Sequence, residues 1–171
     1  MADGVFGVVV VTPEQSLVAG GATSVVLATS EGDLTVLDGH TPLVGDVVPC
    51  QLKIEQAEGG LLRLAVHGGF LQVDTSPGAA EGLAEGDGPL PGLSTRVTVL
   101  AGIAELAEEI DVPRAEQARE SATQRVAELS SGRGGSADLG DEEGAADIAL
   151  AEAEKALARA ELRLEVASSP E

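Results

Sequence analysis

The chain has 171 residues, a formal charge of −19 and an apolar share of 43%. That length suits one domain, or a small domain with an appendage. With two Phe and neither Trp nor Tyr, its core has to be built from Val, Leu, Ile and Ala, and stacking platforms for bases or sugars are excluded for want of rings. So acidic a surface is a poor partner for nucleic acid and is repelled by an anionic membrane. The acidity is spread along the chain, with 12 acidic and 3 basic residues up to Ala101 and 17 and 7 from Gly102 on. Solubility accounts for such charge as readily as a basic protein partner does. The single Cys50 forms no internal disulfide and reads as a small buried hydrophobe. No signal peptide is visible and the apolar runs are too short to span a bilayer. The cytoplasm is therefore the expected compartment, with any membrane association made through other proteins.

In chain order, Val5 to Val11 is a β-branched run ended by Pro13, and Thr23 to Thr29 is a second. Glu31-Gly32-Asp33 predicts a tight turn, Leu34 to Leu37 a short strand, and Asp38-Gly39 another turn. His40-Thr41-Pro42 stiffens a loop, since Pro42 fixes its own φ and pushes Thr41 out of the helical region. The expectation is a rigid exposed tip carrying one imidazole. Val47 to Gln56 alternates loosely, Glu58-Gly59-Gly60 predicts a hairpin turn, and Leu61 to His67 puts Leu62, Leu64 and Val66 on one face. Gly68-Gly69 predicts a sharp corner before Phe70 to Asp74. Short strands at this spacing, with turn signals between them, predict an antiparallel β-sandwich or barrel over residues 1–101. Within it, Thr75 to Thr95 holds three Pro, three acids and no basic residue, and reads as a solvated loop.

From Gly102 the period changes. Asp111 is a good N-cap and Pro113 sits in the first turn, where its missing N–H costs little. Val112, Ala115, Ala118, Ala122, Val126 and Leu129 then fall on one helical stripe. Ser130 to Gly144 carries five Gly and four acids and breaks the helix. A second helix follows, seamed by Ala149, Ala153, Ala156 and Ala160 together with Leu150, Leu157 and Leu164. The predicted second domain, 102–171, is thus a close antiparallel hairpin of helices at about 111–129 and 145–167. Alanine buries little area, so at roughly 25 cal/mol per Å² the contact between the helices is thin and cheap to rearrange.

Catalytic readings find little support. Two His and one Cys cannot make a Cys/His metal site, and no Gly-x4-Gly-Lys-Ser/Thr phosphate loop occurs. His67-Gly68-Gly69 has the look of an esterase oxyanion loop, but no Gly-x-Ser-x-Gly elbow supplies a nucleophile.

Three blocks in order carry a family resemblance: Ser30-Glu31-Gly32-Asp33-Leu34 with Gly39-His40-Thr41-Pro42-Leu43, then Gly68-Gly69-Phe70-Leu71-Gln72-Val73, then Val97-Thr98-Val99-Leu100-Ala101. Together they resemble the epsilon subunit of F-type, proton-translocating ATP synthases. The resemblance makes Thr75–Thr95 an insertion of about 15 to 20 residues in a hairpin. It implies a non-catalytic rotor subunit whose sandwich joins the gamma subunit to the membrane c-ring. The hairpin would restrain ATP hydrolysis by extending along gamma toward the catalytic alpha and beta subunits. It further implies a peripheral place on the cytoplasmic face of the cell membrane, without direct insertion. Glu31, Asp33, Gly39, His40 and Pro42 would face the ring.

In some bacterial members of the family the hairpin binds ATP. Ile110-Asp111-Val112-Pro113-Arg114-Ala115 is similar to the motif concerned, Glu105 matches a glutamate five residues before it, and Arg159-Ala160-Glu161-Leu162-Arg163-Leu164 matches the second half. The resemblance thus implies Glu105, Ile110, Asp111, Arg114, Ala115, Arg159 and Arg163 as a nucleotide site. No cofactor is required, and ATP would act as a regulatory ligand. Arg159 and Arg163 lie four apart on one helix face, as two phosphate-directed cations should. A further family arginine falls on Ser121, with Arg119 nearby. The alternative is a free-standing acidic module with the hairpin as a nucleotide sensor.

Overall fold

The structure, a computed structural model, describes residues 4–76, 94–132 and 142–169. They form two compact units, one reaching to Glu109 and one spanning Ile110–Ser169.

The first unit holds β1 (Phe6–Val11), β2 (Ser16–Thr29), β3 (Gly32–Val36), β4 (Leu43–Val47), β5 (Cys50–Gln56), β6 (Leu61–Val66), β7 (Gly69–Asp74), β8 (Arg96–Ala101) and β9 (Ala104–Leu106), then a short 3₁₀ turn, Ala107–Glu109. One layer runs β1-β8-β7-β4 and the other β3-β2-β5-β6-β9, with β2 serving both. β2 is longer than the expected Thr23–Thr29, since its first half also finds a partner. Residues 16–22 pair with β1, and residues 25–29 continue along the same edge with β3. The other edge takes β5 and, at Thr29, β4. A register shift between Ala22 and Ser24 marks where the strand passes from layer to layer, as a bulge bends a strand and sharpens its twist.

The expected strand Val47–Gln56 is two strands. Pro49, which cannot donate to a ladder, lies in the gap after β4, and β5 begins at Cys50. β1 pairs with β8 in parallel and the other ladders are antiparallel. Inward residues alternate with outward ones. Phe6, Val8, Val10, Leu52, Ile54, Leu64, Val66, Leu71, Val73, Val97 and Val99 fill the space between the layers. This is the aliphatic core that the composition demanded, with Phe6 its one ring.

The two Gly corners stand where the sequence put them. At the β5–β6 hairpin the Gln56 N–H donates to the Gly60 carbonyl at 2.9 Å. At the other corner Gly69 has φ +157°, and a Cβ there would meet the Leu100 carbonyl oxygen at 2.1 Å. Only glycine lets β7 pass so close to β8. Past residue 101, where the sequence reading ends the β domain, β9 and the 3₁₀ turn continue the first unit. Ala104–Leu106 does so because the open edge of β6 gives it a partner. The bulk of the Thr75–Thr95 stretch, residues 77–93, lies outside the described residues.

The second unit holds α1 (Val112–Gly132) and α2 (Glu142–Ser168), packed along one another. The Asp111 carboxylate accepts the Arg114 N–H at 3.1 Å, the expected N-cap bond. α1 outlasts its expected end at residue 129 because the Ser131 hydroxyl donates to the Glu128 carbonyl, satisfying a last-turn acceptor. α2 likewise begins three residues before the expected 145. Ala115 and Ala122 on α1, and Ala153 and Ala160 on α2, are buried at the same seven-residue step. The expected seam leucines Leu150, Leu157 and Leu164 are half-buried. Leu162 and Val166 are buried on another flank of α2.

Candidate functional site

The sequence expected one rigid tip; the fold produces a strip. Glu31 and Asp33 stand at the turn before β3 and His40 at the loop after it, so the length of β3 separates them. From Asp33 to Val36 the strand covers three steps of about 3.3 Å, roughly 10 Å, before the chain turns between Leu37 and His40. Leu34 and Val36 point inward, whereas Asp33, Thr35 and Leu37 are exposed on the opposite face. β3 hydrogen-bonds only β2 among the described strands, so its outer edge and this face are open. The strip is Glu31, Asp33, Thr35, Leu37 and the Gly39–Pro42 loop. At one end a groove of about 200 Å³ lies between residues 29–34 and 43–46, bordered by the exposed carboxylates of Glu31, Asp33 and Asp46.

Each end is fixed by its own bonds. At the β2–β3 turn the Thr29 hydroxyl donates to the Gly32 carbonyl at 2.8 Å and accepts the Glu31 N–H at 3.3 Å. In the other loop the His40 N–H donates to the Leu37 carbonyl at 3.1 Å. The half-buried His40 ring directs Nδ1 to the Thr41 carbonyl at 2.8 Å. A carbonyl only accepts, so Nδ1 carries the hydrogen and Nε2 of the neutral ring is left as an acceptor. Gly39 sits at φ +76°, a left-handed turn position. Pro42 is exposed.

A second surface escaped the sequence reading. On the outer face of the β1-β8-β7-β4 layer, Val11 lies opposite Leu100, and Leu100 opposite Phe70. Phe70 is 57% exposed and Leu100 48%. With Pro13, the His67 corner and Gly102 they line a shallow apolar groove of about 640 Å³. Alternation along β7 held part of the signal, because Leu71 and Val73 inside require Phe70 outside. An exposed Phe in a chain with only two of them marks a surface meant to be covered.

The residues matched to a nucleotide motif divide between the two units. Glu105 is on β9, opposite Ala65, in the first unit. Ile110, Asp111, Arg114 and Ala115 open the second unit. One Asp111 carboxylate oxygen is engaged by the helix cap, and the buried Ala115 belongs to the alanine seam rather than to an open surface. Arg114 and Ser121 are exposed on α1. On α2, Arg159 is exposed and its Nε donates to the Lys155 carbonyl at 3.2 Å, while Arg163 is half-buried. Among the described residues no group of three or more His, Cys, Asp or Glu could hold a metal ion.

Comparison with known proteins places the two units in one family. The model of the ATP synthase delta/epsilon chain β-sandwich domain matches residues 5–77, and that of its long α-helix domain matches residues 108–168. The chain belongs to this ATP synthase delta/epsilon chain family. An ATP synthase epsilon chain of Thermobifida fusca is 37% identical over 88% of this chain and 90% of its own length. One of Bordetella petrii is 35% identical over 89% and 85%. A chain in the mitochondrial ATP synthase of Euglena gracilis shares the fold, with a TM-score of 0.61 at 19% identity, covering 94% of this chain and 79% of that one. The protein is thus an epsilon-type chain, an accessory and non-catalytic part of a membrane-bound complex. No described helix is long and apolar enough to cross a membrane.

Proposed function

We infer that this chain, a non-catalytic rotor-stalk subunit of the ATP synthase, links the gamma subunit to the c-ring. The observation that carries the reading is the Val11–Leu100–Phe70 row, an apolar surface left open on an otherwise acidic sandwich. It suits a helical, apolar partner such as gamma, and the polar β3 strip suits the polar loops of the ring. Such a linker needs two separate faces on a stiff body, and a two-layer sandwich supplies them. Its place would be peripheral, at the cytoplasmic face of the membrane. The test is association of the purified chain with gamma before and after Phe70→Ser. Truncating an aromatic anchor at an interface centre costs about 2 kcal/mol or more, at least about 30-fold in affinity. Unchanged affinity would remove the row from the interface.

The hairpin would act as the regulatory arm, folded when permissive and extended along gamma toward the alpha and beta subunits when restraining ATP hydrolysis. Its alanine seam favours this use, because little buried area has to be given up on opening. ATP is the proposed ligand of the folded form, held by Arg159 and Arg163 with Arg114, and with Asp111 directed to ribose or base. Ligand at ten times its dissociation constant biases the equilibrium by only about 1.4 kcal/mol, a scale that matters for a marginal arm. Calorimetric titration with ATP, with ADP as control and Arg163→Ala beside it, tests this. Saturable binding abolished by the substitution supports the site. Absence of heat at millimolar ATP leaves the linking role and removes the nucleotide.

A further inference from the structure

The loop that carries His40 is anchored from distant parts of the chain, and the anchors converge on Asp38. Thr95 is fully buried just before β8, while Asp38 and Gly39 are exposed. The Thr95 hydroxyl donates to Asp38 Oδ1 at 3.0 Å and accepts the Gly39 N–H at 3.0 Å. One buried hydroxyl thereby satisfies both a side-chain acceptor and a backbone donor of the same turn, 57 and 56 residues away in sequence. A second anchor is steric. Gly4, just before β1, packs so close that a Cβ there would meet the Asp38 Cβ at 2.7 Å. Thr95 is itself tied to the sheet, its carbonyl accepting the Gly7 N–H at 2.9 Å. The loop is therefore held to the β1–β8 parallel pair as well as to its own hairpin.

We propose that Thr95 is a positioning residue for the ring-facing strip: through Asp38 and Gly39 it fixes the turn from which His40 projects. This rests on the reading of the strip as a partner surface, but the latch itself is testable without the partner. The hydroxyl bonds a carboxylate on one side and a backbone amide on the other. Valine has the same shape and offers neither function, whereas serine keeps both. A buried oxygen shared in this way holds the left-handed Gly39 turn in register with the sandwich, rather than leaving it to the exposed hairpin alone.

The experiment is amide hydrogen exchange by NMR on the full chain as wild type, Thr95→Val and Thr95→Ser. In Thr95→Val, exchange at Gly39 and His40 accelerates at least tenfold, while core amides such as Leu71 and Val99 keep their rates. In Thr95→Ser the Gly39 rate returns to within about threefold of wild type. An unchanged Gly39 rate in the valine variant overturns the latch. So does a uniform acceleration across the sheet, because Thr95 would then be an ordinary core residue. Gly4→Ala is an independent arm, expected to disturb the Asp38 and Gly39 resonances through the steric anchor alone. Binding of the same variants to detergent-solubilised c-ring separates the two ideas. A loop loosened in Thr95→Val with ring affinity unchanged leaves the latch standing and removes the strip as ring contact.

Discussion

Replacing Gly69 by Ala should damage the sandwich severely. The new Cβ would lie 2.1 Å from the Leu100 carbonyl oxygen and 3.0 Å from the Ala101 Cα, both backbone atoms of β8. An ordinary carbon–oxygen contact needs about 1 Å more, and a backbone cannot turn aside as a side chain can. Forcing extra volume into a packed region costs about 1–3 kcal/mol. Residence at φ +157° adds a penalty of about 1–2 kcal/mol for a residue with a Cβ. The sum, about 2–5 kcal/mol, is a large share of the 5–15 kcal/mol typical of a domain. At ~4–8 °C per kcal/mol, the melting temperature of the β unit should fall by ~8–40 °C. With neither Trp nor Tyr in the chain, the assay is far-UV circular dichroism in the β region. Gly102→Ala is the control, since nothing lies within 4 Å of its Cβ position. A Gly69→Ala melting point within a few degrees of both wild type and control would refute the steric account. Because β8 must shift to make room, the Phe70–Leu100 pair should also separate.

Ala160→Leu should open the hairpin, because residue 160 is only 1% exposed on the alanine seam. Overpacking costs about 1–3 kcal/mol, so amides of α1 and α2 should exchange faster while those of the β unit, a separate compact body, keep their rates. Equal rates in the helices would show that the seam has slack. Burial raises the Cys50 thiol above its usual range, against the lowering effect of the Ala28 backbone bond. The folded state therefore holds this proton after the unfolded chain has lost it. Stability should decline as pH rises past the unfolded thiol value of about 8.5, and Cys50→Ala should abolish that decline in urea titrations run from pH 8 upward. Asp74 runs the other way. Its carboxylate accepts from the Ser76 hydroxyl at 2.6 Å and the Ser76 N–H at 2.9 Å, which lowers its titration point. NMR titration should find Asp74 ionised at a lower pH than in Ser76→Ala, which keeps the N–H bond and loses the hydroxyl, and coincident curves would deny the hydroxyl bond its effect.

Much was legible in the residues because it is local. Gly-Gly at 59–60 and 68–69 marked corners, Asp111 and Pro113 marked a helix start, and the seven-residue step of the alanines marked a hairpin seam. Each depends on chemistry within a few residues: a φ that only glycine holds easily, a side-chain oxygen within reach of a free N–H, a period that matches a helix. Three short blocks in order were enough to fix the family. The sequence also required an aliphatic core, since it has almost nothing else to bury.

Tertiary structure decided what depends on neighbours far apart in the chain. That β2 serves both layers follows from which strands flank it, and no period in residues 16–29 announces β1 on one half and β3 on the other. The single tip became a strip because β3 lies between its two turns, a matter of distance along a strand rather than of turn chemistry. The Val11–Leu100–Phe70 row is assembled from three strands by register alone, and Thr95 meets Asp38 across 57 residues. Local chemistry determined where this chain turns and what it buries; pairing between distant strands, fixed only when the whole core closes, decided which side chains stand together on its surface.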